Sequence, residues 1–322
     1  ISKTQYRMKT KATILTTLIA IAVIVGCKKE PDNPAAPSDP VPDQYAFQQF
    51  FADNIADATQ SFSVNATTGG QVTGMKGTQL IFEPNTFLNA DGTPVSGQVN
   101  VKLVEVLSVS DMIWLNVQTV GNDNGTLKML RSGGAMNITA SQSGNDLRIT
   151  PGGLVVNIPT EVGDPAMELF SGNINTDGSM TWERIDSSTV VVEEDYFDLF
   201  YNFAPDSLQW MNCDQFYEYP DLTHVTATVP TNISFGSTFV WITFPSENAV
   251  VWMNPTTGQF FTTPLSYQGV PVGMQATIVA LNRTIAGDFS SFTPITITNG
   301  MNVALTFTPT TLTEFYDQLN AL

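Results

Sequence analysis

From Ser61 to Thr308 apolar and polar residues alternate with a period of two. Gln98-Val99-Asn100-Val101-Lys102-Leu103 shows it most cleanly, with every second position apolar, as a half-buried strand requires. Runs of this kind predict strands over 78–82, 98–103, 112–117, 135–140 and 154–158. Further runs follow at 180–185, 189–193, 225–229, 238–244, 250–253, 275–281, 295–298 and 303–308. Clusters of Asn, Asp, Ser and Gly at 89–92, 121–125, 142–145 and 173–178 supply the turns. Two stretches depart from the period. Over 45–58, Phe47, Phe50, Phe51, Ile55 and Ala58 fall on one helical face, with Asp43 placed to cap the start. Over 313–322, Phe315, Leu319 and Leu322 do the same. Short strands at this spacing, with no helical pattern between them, predict an all-β fold built from sandwiches.

A different pattern precedes these elements. Lys9 and Lys11 lead into the apolar run Ile14 to Val25, which closes on Gly26 and Cys27. A basic start, a short apolar core and a small residue make a secretory signal. The run also allows a single-pass N-terminal anchor helix, for which it is short. Residues 1–7 precede Met8 and read as an upstream extension, with Met8 as the start. Ile24-Val25-Gly26-Cys27 resembles the lipobox of bacterial lipoproteins. The resemblance implies a diacylglycerol thioether on Cys27 and cleavage just before it. At about 0.8 kcal/mol per buried methylene, two or three acyl chains hold a protein to a membrane where one does not. Lys28-Lys29-Glu30 resembles the surface-export signal of Bacteroidota lipoproteins, and reads equally as a solvated tether. The expected address is the bacterial outer membrane, on the cell surface. Residues 31–42, rich in Pro, Ala, Asp and Ser, make an extended spacer.

The expected organisation is a signal peptide (1–26), a lipidated cysteine and tether (27–44), a short helix with a first β-sandwich (45–165), and a second sandwich-like domain (166–322). The boundary is placed at Pro159 to Pro165, where two prolines and a glycine follow a strong strand. Loss of residues 1–26 removes Lys3, Arg7, Lys9 and Lys11 and no acid, taking the net charge from −17 to −21. Such a chain is repelled by phosphate backbones, so nucleic acid is not an expected partner. With Cys27 lipidated, Cys213 is the one remaining thiol, and stability must come from packed cores.

Five places between Gly77 and Pro159 carry a family likeness. They are Gly77 to Phe82 with Asn85 and Phe87, Gly97 to Val101, Ser110-Asp111-Met112, Ser132-Gly133-Gly134-Ala135-Met136, and Pro151-Gly152-Gly153 leading to Val156-Asn157-Ile158-Pro159. Together they resemble the ZU5 domain, particularly its relatives in Bacteroidota lipoproteins. Glu83 stands where that family usually has proline, and Pro84 comes one residue later. The resemblance covers about a quarter of the chain. It implies a β-sandwich that serves as a protein-binding module. The His-Phe-Ser site at which some ZU5 proteins cut themselves is missing, since His224 is followed by Val225. Trp210 to Phe216 and Pro271-Val272-Gly273 resemble the domain that follows ZU5 in such bacterial proteins.

Candidate chemistry is sparse. Cys213, His224 and Asp214 could form a thiolate set only if the fold brings base and sulfur within hydrogen-bond reach; a small core cysteine is the plainer reading. Asn122-Asp123-Asn124-Gly125 and Asn175-Thr176-Asp177-Gly178 resemble calcium loops in composition but lack the alternating ligands and closing glutamate, and read as hairpin turns. Glu193-Glu194-Asp195 reads as a solvated strand end rather than one arm of a glycosidase pair. No catalytic set, metal or cofactor is expected. Aromatic residues crowd the second half, and Trp182, Trp210, Trp252, Tyr201, Tyr217 and Tyr219 are the candidates for gripping a partner. The expected function is non-enzymatic binding, adhesion or scaffolding through a protein partner, with the membrane held by Cys27. Glycan binding is the alternative and requires a row of exposed aromatic rings. A hydrolase would require a pocket holding paired acids or the Cys213–His224 set.

Overall fold

The computed structural model describes residues 44–322, apart from 162, 177, 187, 188, 196, 197, 217, 257–259 and 265. Cys27, Asp43 and Tyr217 lie outside the described residues. Helix α1 (Gln44–Ala58) leads into β1 (Gln60–Asn65), β2 (Gly70–Thr73), β3 (Gln79–Phe82) and β4 (Gln98–Val106). Helix α2 (Val109–Trp114) follows, then β5 (Val120–Asp123), β6 (Thr126–Gln142), β7 (Leu154–Thr160), β8 (Glu168–Ile174) and β9 (Met180–Arg184). Strands β10 (Val191–Asp195), β11 (Asp198–Phe203) and β12 (Trp210–Phe216) complete the first half.

The largest sheet runs β1-β4-β6-β12-β8-β9-β5. Strand β6 is long enough to pair β4 near its end and β5 near its start, so the path β6–β12–β8–β9–β5 returns to β6 and closes. A second sheet, β10-β11-β7-β3-β2, packs on one face of it. Period two sorts the side chains between faces. Val99, Val101 and Leu103 of β4 enter this first core with Leu80, Val156 and Phe203, whereas Val104 and Val106 face the other way.

The second half holds β13 (Thr226–Thr228), β14 (Thr238–Phe244), β15 (Ala249–Trp252), β16 (Asn254–Pro255), β17 (Phe260–Thr262), β18 (Gln275–Thr284), β19 (Gly287–Thr296), β20 (Asn302–Ala304), β21 (Thr308–Thr310) and α3 (Leu312–Leu319). Sheet β15-β14-β18-β19-β21 lies over sheet β16-β17-β13-β20. Both faces of β14 are buried. Val240, Ile242 and Phe244 enter the second sandwich, while Trp241 and the half-buried Phe239 face a shared core. Ile278 and Ala280 of β18 divide from Val279 and Leu281 in the same way. That shared core takes all three helices, Val104 and Val106, Trp182 and Trp210. It joins the two sandwiches, and contacts gather the described residues into one compact unit. The Phe47 and Phe239 rings, 4.3 Å apart, show α1 packed on both halves rather than on the first alone.

The all-β expectation holds, with two corrections. Residues 112–117 are not a strand. Ser108 and Asp111 form a capping box, each side chain accepting from the other's backbone amide, and this starts α2 within the apolar run. The boundary near 165 also moves. Strands β8, β9 and β12 belong to the large sheet, so the first sheet system extends to Phe216. The prolines and glycine at 159–165 mark a crossover between two sheets of one sandwich, not a linker.

Candidate functional site

The large sheet carries a defect that shapes its surroundings. On β12, Asn212 pairs with Ala135 and Asp214 with Ser132, so Gly133 and Gly134 of β6 oppose Cys213 alone. This is a β-bulge, and glycine makes it feasible. Gly134 sits at φ 124°, a conformation costly to other residues. A Cβ on Gly133 would lie 2.7 Å from a ring carbon of Tyr201 and 2.8 Å from the Cys213 carbonyl. Tyr201 is thereby buried against the bulge, where its hydroxyl accepts the Asp164 amide at 2.9 Å.

A groove of about 1070 Å³ opens above this bulge. Ser132, Gly133 and Tyr201 form its floor, and Gln79, Pro159, Thr160, Glu161 and Asp198 to Phe200 its walls. Leu107 and, from the second half, Pro245 and Asn248 cover one side. Asn248 is left-handed (φ 46°), which aims its side-chain amide at the Leu107 and Ser132 carbonyls, 3.0 and 3.2 Å away. Arg131 adds a second tie, donating to Glu247 at 2.6 Å and to Asp164 at 3.3 Å. The Ala166 amide, with help from Gln215 and Arg131, holds Asp164 below the usual carboxylate range against partial burial. Both sandwiches thus fix the shape of the groove.

Beneath the floor lies Asp214, fully buried. Its Oδ2 accepts from Asn212 at 2.5 Å, and the Ser132 hydroxyl donates to the side-chain oxygen of the same Asn212 at 3.2 Å. Its Oδ1 has no partner. Burial pushes this acid well above its ordinary value, which keeps it protonated into a range where surface aspartates are charged. Cys213 beside it is also buried, and desolvation followed by the Asp214 carboxyl raises its thiol.

The Cys213–His224 set that a thiolate reading would need is not assembled. The Cys213 side chain lies in the first core, whereas His224 Nδ1 meets the Thr263 hydroxyl at 3.2 Å in the second half. The Asn122 turn is a hairpin whose Asp123 pairs with Lys128 at 2.7 Å. Lys128 comes first among the causes that lower the Asp123 carboxyl from its ordinary value. Among the described residues, no three His, Cys, Asp or Glu side chains converge as a metal site. Glu193 and Glu194 are exposed on the edge strand β10.

The aromatic candidates are also corrected. Trp182 is fully buried and donates to the Gln118 carbonyl at 2.7 Å; Trp210 is buried in the shared core, and Tyr201 under the groove. Three stacked cores need large rings inside, and these residues fill them. Trp252 is half-buried and stacks on Phe239 at 5.7 Å. Tyr219 is half-buried against the second sandwich. These positions do not form the exposed row that a glycan platform requires. A pair outside the candidate set, Trp114 and Tyr316, is half-buried with ring centres 4.8 Å apart, beside exposed Met75. It borders a second groove of about 590 Å³ between the helices. The local signal for the bulge was in view as Gly133-Gly134, since paired glycines inside a strand mark a defect or a close approach.

No protein-family model matches the chain, and no curated protein matches it.

Proposed function

We propose that the chain is a lipid-anchored binding protein of the bacterial cell surface, with no catalytic role of its own, whose protein partner seats in the bulge-floored groove. The observation that carries this reading is the construction of the groove. Two sandwiches contribute to it, and Asn248 and Arg131 tie them across it. Pre-formed walls spare a partner the ordering cost of binding. The lipobox-like Cys27 and the ZU5-like pattern over 77–159 support the address and the protein-binding role.

Anchoring is tested by Cys27→Ala, which is expected to move the protein from the membrane fraction to the soluble one; retention in the membrane overturns it. Binding is tested by panning a random peptide library on phage against the full chain. Panning in parallel on Thr73→Trp, an exposed residue of the groove wall, blocks the groove and leaves the cores intact. Peptides enriched on the first protein and lost on the second support the reading. A library that yields no groove-dependent peptide overturns it.

A further inference from the structure

We propose that the groove recognises an extended protein segment through a lysine or arginine side chain. The proposal rests on the groove being the binding site and adds the chemistry of what enters it. Glu161 and Asp198 line the groove, both are exposed, and among the described residues no basic side chain lines it. The acidic rim continues onto β10, where Glu193 and Glu194 pair with the wall residues Phe200 and Leu199 and are exposed. The nearest base in the sequence around the floor, Arg131, already serves Glu247 and Asp164. Elsewhere Lys76, Lys128, Arg184 and Arg283 are each drawn into ion pairs, so little positive field offsets the rim.

The walls fit such a side chain. Leu107, Leu199, Pro159 and Pro245 offer apolar surface to an aliphatic stem while its head meets carboxylates. A sugar would gain less here, because the rings nearest the groove, Phe200 and Tyr201, are buried.

The peptide selection is read a second time, with Glu161→Gln/Asp198→Asn as a third target. Both sites are exposed, so folding is expected to persist, and circular dichroism checks it. Groove-dependent peptides are expected to carry Lys or Arg at a shared position. A synthetic copy of the leading peptide is expected to bind the double variant about 2- to 30-fold more weakly, from two partly screened charge contacts. Groove-dependent peptides without a shared base overturn this inference and leave the binding reading standing. Basic peptides that bind the Thr73→Trp protein equally well show attraction to the acidic surface only, and overturn it too. No groove-dependent peptide at all overturns both.

Discussion

Asp214→Asn isolates the buried acid beneath the groove. The side chain is fully buried with Oδ1 unpartnered, and burial raises its titration well above 3.8. In the unfolded chain it ionises near its ordinary value, while in the folded chain it stays protonated to higher pH. The folded state therefore holds one more proton across that window, and stability falls as pH rises through it, by about 1.4 kcal/mol per pH unit. Below the ordinary value both states are neutral and the penalty vanishes. Asparagine cannot ionise. It can still accept from Asn212, but its amide carries two donors where the neutral acid carries one hydroxyl, and leaving the additional donor unpaired costs about 1–3 kcal/mol. The wild type is thus expected to be the more stable protein near pH 4, with its advantage shrinking and then reversing toward alkaline pH. Urea unfolding of both proteins from pH 4 to 9 measures the difference. Asp123 and Asp164, whose carboxyls are held low, lose their contribution as pH falls, but they are common to both proteins and cancel. A difference that stays constant across the range would show that Asp214 ionises alike in both states, and would refute the argument.

Arg131→Met removes the tie between Glu247 and Asp164 and is expected to cost about 1–3 kcal/mol, read by thermal unfolding; a loss that disappears in high salt would instead assign the bond to surface electrostatics. Phe315→Ala empties a fully buried site in the shared core, beside Phe292 at 5.5 Å, and is expected to cost about 3–5 kcal/mol. A loss under about 1 kcal/mol in urea would mean that α3 does not belong to that core. Cys213 is expected to resist iodoacetamide in the folded chain and to react once urea unfolds it, because its thiol is buried and its titration raised; rapid labelling below the unfolding midpoint would contradict its placement in the first core.

Strand positions were legible because their signal is local. Alternation in 98–103 fixed both the strand and its faces, whereas 238–244 was legible as a strand but not as one buried on both sides, although Phe239 to Phe244 is apolar except at Thr243. Helix α2 was hidden by Met112-Ile113-Trp114-Leu115, a run that suits either element; the capping box at Ser108 and Asp111 decides for helix, and it lies just before the run. The boundary at 165 failed for a non-local reason. Pro159 to Pro165 looks like a linker unless one knows that β8 and β12 return to the large sheet, and pairings of that kind leave no mark on neighbouring residues.

The same distinction explains why the aromatic candidates pointed the wrong way. A tryptophan advertises a large contact area, but not whether a partner or another sheet supplies the contact. Here the sheets stack in a way that buries both faces of two of them, so Trp182, Trp210 and Trp241 are consumed by the fold. What the stacking leaves at the surface is the uncharged polar face and the acids, and at one place the fold concentrates them. Gly133-Gly134 opens the strand, Tyr201 fills the space that the missing side chain leaves, and the groove that results is rimmed by Glu161 and Asp198. None of those residues marks a groove by itself, and their relation depends on the register of β6 against β12 and of β7 against β11. A binding surface assembled in this way follows from topology more than from any motif, which is why the glycine pair is its only trace in the sequence.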